Sequence, residues 1–175
     1  MKPPAGVCAG EIHQLVKRGD DGLTVEEYLD IVSGKTGALL VACAQLGGSL
    51  GTTNTPVLQG LGDFANHLGI AFQIRDDILD ADSSSEKIGK SAGRDAALGK
   101  LTLPGILARD ISGVDLPLGD QERQQFILQH GGFQKAHEFA CDHVTKATRA
   151  LDVLEDHPAR DRLIQFANQS VLRKA

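Results

Sequence analysis

A length of 175 residues suits one domain with a sizeable buried core, and 41% hydrophobic against 23% charged residues is an ordinary globular mixture. The formal net charge of −5 argues against a nucleic-acid partner, which clustered Lys and Arg would have to hold. Three scattered cysteines, Cys8, Cys43 and Cys141, form no CxxC pair and no Cys/His ligand spacing, the pattern of reduced thiols in an intracellular protein.

The opening MKPPAGVCAGE has no apolar core of signal-peptide length. The longest apolar run, ALLVACA, is too short to span a bilayer, so the expectation is a cytoplasmic protein without a transmembrane segment. No stretch sustains apolar–polar alternation, and helical periodicity dominates. Thr24-Val25-Glu26-Glu27 is a capping box and predicts a helix running to about Leu50. GGSLGTTNTP breaks that helix, with Thr55 as the expected N-cap and Pro56 at the first helical position of the next. This second long helix should run through Asp80. The segment ADSSSEKIGKSAGRDAALGKLTLP then reads as a loop, and further helices are expected near 104–110, 120–130, 133–156 and from about 159 to the end. With no repeat or linker, residues 1–175 form a single all-α domain.

The second long helix holds the main anomaly. At roughly 100° per residue, Gly62, Asn66, Gly69, Gln73, Asp76, Asp77 and Asp80 share one polar wedge on a helix otherwise apolar nearly all round. Such a helix belongs in the middle of a bundle, its wedge facing a cavity. Arg75 falls on the apolar side, where its stem is expected to snorkel. Two carboxylates ~6 Å apart repel by about 3 kcal/mol at an effective dielectric near 20. Three in FQIRDDILD therefore call for a positive partner, and Mg²⁺ suits oxygen ligands and bridges to phosphates. The spacing of Asp76, Asp77 and Asp80 lets one shared ion reach all three. A solvated acidic helix end is the bland alternative for a bare DDxxD.

The preceding helix, wound the same way, aligns Tyr28, Val32, Lys35, Thr36, Leu39, Cys43, Leu46 and Leu50 on one stripe. A lysine on an apolar stripe asks for an anion, unless its ammonium snorkels to water. The loop adds Lys87, Lys90, Arg94 and Lys100 threaded with Gly89, Gly93 and Gly99, so residues 81–103 read as a basic, flexible lid. No Walker A pattern is present.

Together these pieces resemble the trans-polyprenyl diphosphate synthases. The matching segments are GEIHQL, EEYLDIVSGKTGALLVACAQLGG, FANHLGIAFQIRDDILD and EKIGKSAGRDAALGKLTLP, spanning about residues 10–105. The resemblance implies an all-α bundle of the isoprenoid synthase type and a Mg²⁺-dependent prenyltransferase of isoprenoid biosynthesis. Its substrates would be an allylic diphosphate and isopentenyl diphosphate. It further implies that Asp76, Asp77 and Asp80 bind metal and that Lys35, Lys90 and Lys100 contact the diphosphate. Thr36 and Gln73 would face the allylic cation with their oxygen dipoles.

The family's first aspartate-rich motif has no counterpart, since Asp20-Asp21 lacks a third acid at the right offset. The chain thus looks like the C-terminal half of such an enzyme, an incomplete bundle with partly uncovered apolar faces over residues 24–80. A truncated enzyme, a partial subunit of a homo- or hetero-oligomer, and a non-catalytic regulatory subunit pairing with a full-length relative are the competing expectations. The VLRKA terminus reads as a frayed end, and product chain length stays open.

Overall fold

The computed structural model describes residues 3–17, 19–82 and 101–172. Among them are eight α-helices: α1 (Pro3–Val16), α2 (Val25–Val32), α3 (Ala38–Ser49), α4 (Thr55–Ala81), α5 (Leu103–Ser112), α6 (Asp120–Gln129), α7 (Gly132–Ala150) and α8 (Pro158–Leu172). A π-turn, Ser33–Gly37, joins α2 to α3, and a 3₁₀ turn, Leu151–Val153, follows α7. The described residues contain no strand. The expected lid falls mostly on residues 83–100, outside the described residues, and with it Lys87, Lys90, Arg94 and Lys100.

The helix starts follow local chemistry. The Thr24 hydroxyl accepts from the Glu27 N–H at 3.2 Å while the Glu27 carboxylate accepts from the Thr24 N–H at 3.0 Å, so the capping box forms as expected. Lys17 bonds that same glutamate at 2.8 Å, and this contact holds the Glu27 carboxyl below its ordinary range. The cap of α4 is Asn54 rather than the expected Thr55: its side chain accepts from Val57 N–H at 3.4 Å, which moves Pro56 one residue further into the first turn. The helix expected over 133–156 ends at Ala150, where the 3₁₀ turn takes over. α1, for which the sequence offered no capping box, lies against the π-turn.

Helix α4 is the middle of the bundle, as its near-uniform apolarity demanded. It packs on α7 along one side and on α3 and the π-turn along the other. Phe64, Ala65, Ile70, Ala71, Ile74 and Ile78 are buried in a core completed by Leu103, Ile106, Ala136, Ala140, Val144, Ala147 and Leu151. Burial of such side chains contributes roughly 1.5–3 kcal/mol each.

The π-turn changes the neighbouring helix in a way uniform winding misses. The Ala38 N–H bonds the Ser33 carbonyl, five residues back, so one extra residue enters the helix and rotates all that follows. The stripe expected from Tyr28 to Leu50 is therefore split. Tyr28 and Val32 are buried, whereas Leu39, Leu46 and Leu50 are 56%, 70% and 88% exposed and Cys43 is exposed too. From the last residue of the turn onward, Gly37, Leu40 and Gln45 face α4 instead. Apolar surface over residues 24–80 is thus open, as expected, with Phe72 of α4 also about half exposed.

The continuous helical run over residues 25–49 is long and apolar enough, by length and composition, to cross a membrane. It also carries Lys35 at its centre and a row of polar bonds to α4, features of a bundle helix.

Candidate active site

Part of the polar wedge of α4, at Asn66, Gly69, Gln73 and Asp77, does not look into open space. It lies against α2 and the π-turn, forming a seam of paired side chains. Ser33 donates to Asn66 Oδ1 at 2.8 Å. One turn further along α4, Gly69 lets the backbones close up: a methyl there would sit 3.3 Å from Gly37 Cα and 3.0 Å from Leu40 Cδ1. Next, the Thr36 hydroxyl donates to Gln73 Oε1 at 3.2 Å. Gln73 Nε2 donates to Asp77 Oδ1 at 2.9 Å, and the Tyr28 hydroxyl donates to Asp77 Oδ2 at 2.8 Å. The structure therefore brings Thr36, Gln73 and Asp77 together and adds Tyr28, which the sequence reading had placed only on an apolar stripe.

The three aspartates part company. Asp77 is 1% exposed and turned into the seam, Asp76 is exposed, and Asp80 is half-buried one turn beyond Asp76. Among the described residues no group of three or more His, Cys, Asp or Glu side chains is disposed to hold a metal ion. Of the three acids expected to share one ion, Asp77 accepts hydrogen bonds from Tyr28 and Gln73 in the seam. The residues still fit a hard divalent ion in part. Asp76 and Asp80 are oxygen donors at i and i+4, stacked on the accessible side of the helix.

Lys35 meets an anion, and it is an internal one. Its ammonium pairs with Glu11 Oε2 at 2.9 Å and donates to Gln14 Oε1 at 2.8 Å. Both partners come from α1, whose Gly10 lies so close that a methyl would stand 2.5 Å from Lys35 N. The π-turn thus sends two consecutive side chains in opposite senses, Lys35 to α1 and Thr36 to α4. Glu11 and Gln14 lie in GEIHQL, a segment whose resemblance was legible but whose contact with Lys35 was not. Arg75 keeps an enigma of its own: its Nε is buried without a hydrogen-bond partner, so snorkelling does not account for all of it.

The polyprenyl synthetase family profile matches residues 4–129 of this chain. The chain is 32% identical over 174 residues to the short chain isoprenyl diphosphate synthase of Methanothermobacter thermautotrophicus, covering 93% of this chain and 54% of that protein. It is 32% identical over 187 residues to octaprenyl diphosphate synthase of Escherichia coli, covering 95% and 56% respectively. Among solved structures, a decaprenyl diphosphate synthase from Rhodobacter capsulatus superposes with a TM-score of 0.85 at 34% identity, over 98% of this chain and 58% of that one. A polyprenyl synthase from Caulobacter crescentus, solved with calcium and isoprenyl diphosphate, gives a TM-score of 0.89 at 29% identity, over 99% and 57%. The chain spans a little over half the length of these relatives. An all-α bundle and its polar central seam accompany a family match over most of the sequence: the chain belongs to the polyprenyl synthetase family.

Proposed function

We propose that this chain carries the Mg²⁺- and diphosphate-binding part of a prenyltransferase that condenses an allylic diphosphate with isopentenyl diphosphate. The observation that carries this reading is the divergence along FQIRDDILD. One acid, Asp77, is buried and hydrogen-bonded, while Asp76 stays exposed and Asp80 half-exposed on a helix that has every apolar reason to hide its surface. Two carboxylates kept a turn apart at the surface of a core helix suit a hard divalent ion. The Caulobacter relative, bound to calcium and isoprenyl diphosphate, supports the same chemistry.

Asp76 and Asp80 would hold the metal, which when bound would supply positive charge beside the pyrophosphate leaving group. Lys35, together with Lys90 and Lys100, would hold the diphosphate, with Lys35 exchanging Glu11 for a phosphate oxygen. Thr36 would stand beside the allylic carbon as positive charge appears there. The isopentenyl double bond then attacks that carbon, and the resulting cation loses a proton to the departing pyrophosphate. Excluding water matters because water would capture the cation first.

The test is thermal protection by Mg²⁺ with an allylic diphosphate analogue, in the unaltered chain and in Asp76→Ala. Protection should appear only with both components and vanish in the variant. Equal protection in both proteins would remove Asp76 from the site.

The exposed Leu39, Leu46 and Leu50 favour a second reading, a non-catalytic subunit that pairs with a full-length prenyl diphosphate synthase through this face. That reading is served if the chain associates with such a partner yet shows no Mg²⁺-dependent protection.

A further inference from the structure

Two partners of different kinds hold the Lys35 ammonium. Gln14 offers a neutral oxygen at 2.8 Å and Glu11 a charged one at 2.9 Å. The side chains of Lys35 and Glu11 are 37% and 49% exposed, so an anion arriving from solvent can reach the pair. Seating α1 does not require this ion pair. The Gly10 backbone fits so closely against the π-turn that a methyl there would stand 2.5 Å from Lys35 N and 2.8 Å from the Gly34 carbonyl carbon. Just past the other end of α1, Lys17 reaches Glu27 of α2 at 2.8 Å. Backbone contact and a second bridge thus fix α1 by means that leave Glu11 out, and a half-exposed ion pair adds little to stability.

We infer that Glu11 is a resident counter-ion: it competes with the diphosphate for Lys35 and thereby sets how tightly the site holds pyrophosphate. This rests on the diphosphate-binding reading and adds to it what governs the affinity. Glu11 acts through Lys35 and is a positioning residue. With the site empty, its carboxylate spares a lysine on an apolar stripe an unpaired charge. With diphosphate present, a phosphate oxygen must offset the loss of that carboxylate, and binding is weakened by the same amount. Gln14, being neutral, orients the ammonium without competing for it. Such moderation suits a reaction whose leaving group is the very anion the site binds, because release of a tightly gripped product limits turnover.

The probe is inorganic pyrophosphate with Mg²⁺, titrated calorimetrically into the unaltered chain, Glu11→Gln and Glu11→Asp, with ligand-free thermal melts alongside. Glu11→Gln removes the competing charge and should tighten binding by up to about fivefold. Glu11→Asp keeps the charge but draws it back by one methylene, so binding should tighten in the same direction by less. The melts separate folding from affinity, and the aspartate variant carries the test if the glutamine variant does not fold. Unchanged or weaker binding in Glu11→Gln overturns the inference, and a lowered melting temperature beside it would make Glu11 a strut between α1 and the π-turn. Tighter binding in the glutamine variant alone also overturns it, since a general repulsive field, not competition for Lys35, would then be at work. Failure of the unaltered chain to bind Mg²⁺-pyrophosphate is a different result, which overturns the diphosphate reading and this inference with it.

Discussion

Helix α4 has two long interfaces built by different means. Toward α7 it presents His67, Ile70, Ile74 and Ile78, and meets the small residues Ala136, Ala140 and Ala147 with Val144 between them. Toward α2, the π-turn and α3 it presents Asn66, Gly69, Gln73 and Asp77, each with a named partner. The first interface is held by area, the second by direction. Apolar packing tolerates a rotated neighbour of similar volume, whereas a chain of donors and acceptors fails if one member turns round. Stability should therefore reside mainly on the α7 side and chemistry on the other.

The strongest way to break that division is Ile74→Ala. Ile74 is fully buried, so the variant should lose about 2–5 kcal/mol in a denaturant titration, from lost transfer energy and the cavity left behind. Among molecules still folded, Mg²⁺-dependent protection by the analogue should persist. Loss of ligand binding out of proportion to stability would show that the two faces are not separable.

A smaller effect comes from a polar pair within the α7 interface. His67 Nδ1 and His143 Nδ1 lie 3.1 Å apart, a bond that needs a proton on one ring nitrogen and none on the other. Burial, then the neighbouring His67 and Lys146, pushes the His143 pKa down from 6.5 to about 4. His67 is lowered as well, first by burial and then by Lys146, while Asp63 and Asp142 oppose this. Both folded values lie below the unfolded one, so the unfolded chain binds more protons as pH falls from 6.5 toward 4. The stability contributed is fully present above pH 6.5 and is lost on acidification through that window. The expected loss between pH 7 and 4 is about 1–3 kcal/mol, and His143→Gln should flatten the curve. An unchanged slope in the variant would exonerate the pair.

The smallest effect tests the polar side. Ser33→Ala removes the donor to Asn66 Oδ1 in a half-buried position and should cost about 1 kcal/mol. Ser33 bonds Asn66 and not Gln73 or Asp77, so a denaturant titration should register the loss while Mg²⁺-dependent protection by the analogue stays unchanged.

Local chemistry made much of the fold legible. The Thr24 capping box, the break at residues 51–54 and the all-round apolarity of α4 are short-range signals, and each led to the right element. The expected stripe from Tyr28 to Leu50 failed at a single residue, because the π-turn adds one position that no periodicity announces. The candidate site was legible in kind but not in arrangement. FQIRDDILD showed that charge had been placed on a core helix, and Lys35 showed that an anion was wanted. That the anion is Glu11 on α1, and that Asp77 answers to Tyr28 and Gln73, depends on helices far apart in sequence.

What the sequence determined by itself is which residues must be helical, which helix must be central, and that negative charge on it requires compensation. These follow from backbone capping, burial and desolvation, which act residue by residue. Only the tertiary structure decided which carboxylate turns inward, which way Gln73 faces and which apolar side chains stay uncovered. Those outcomes depend on the rotation of one helix against another, and here a single inserted residue sets that rotation.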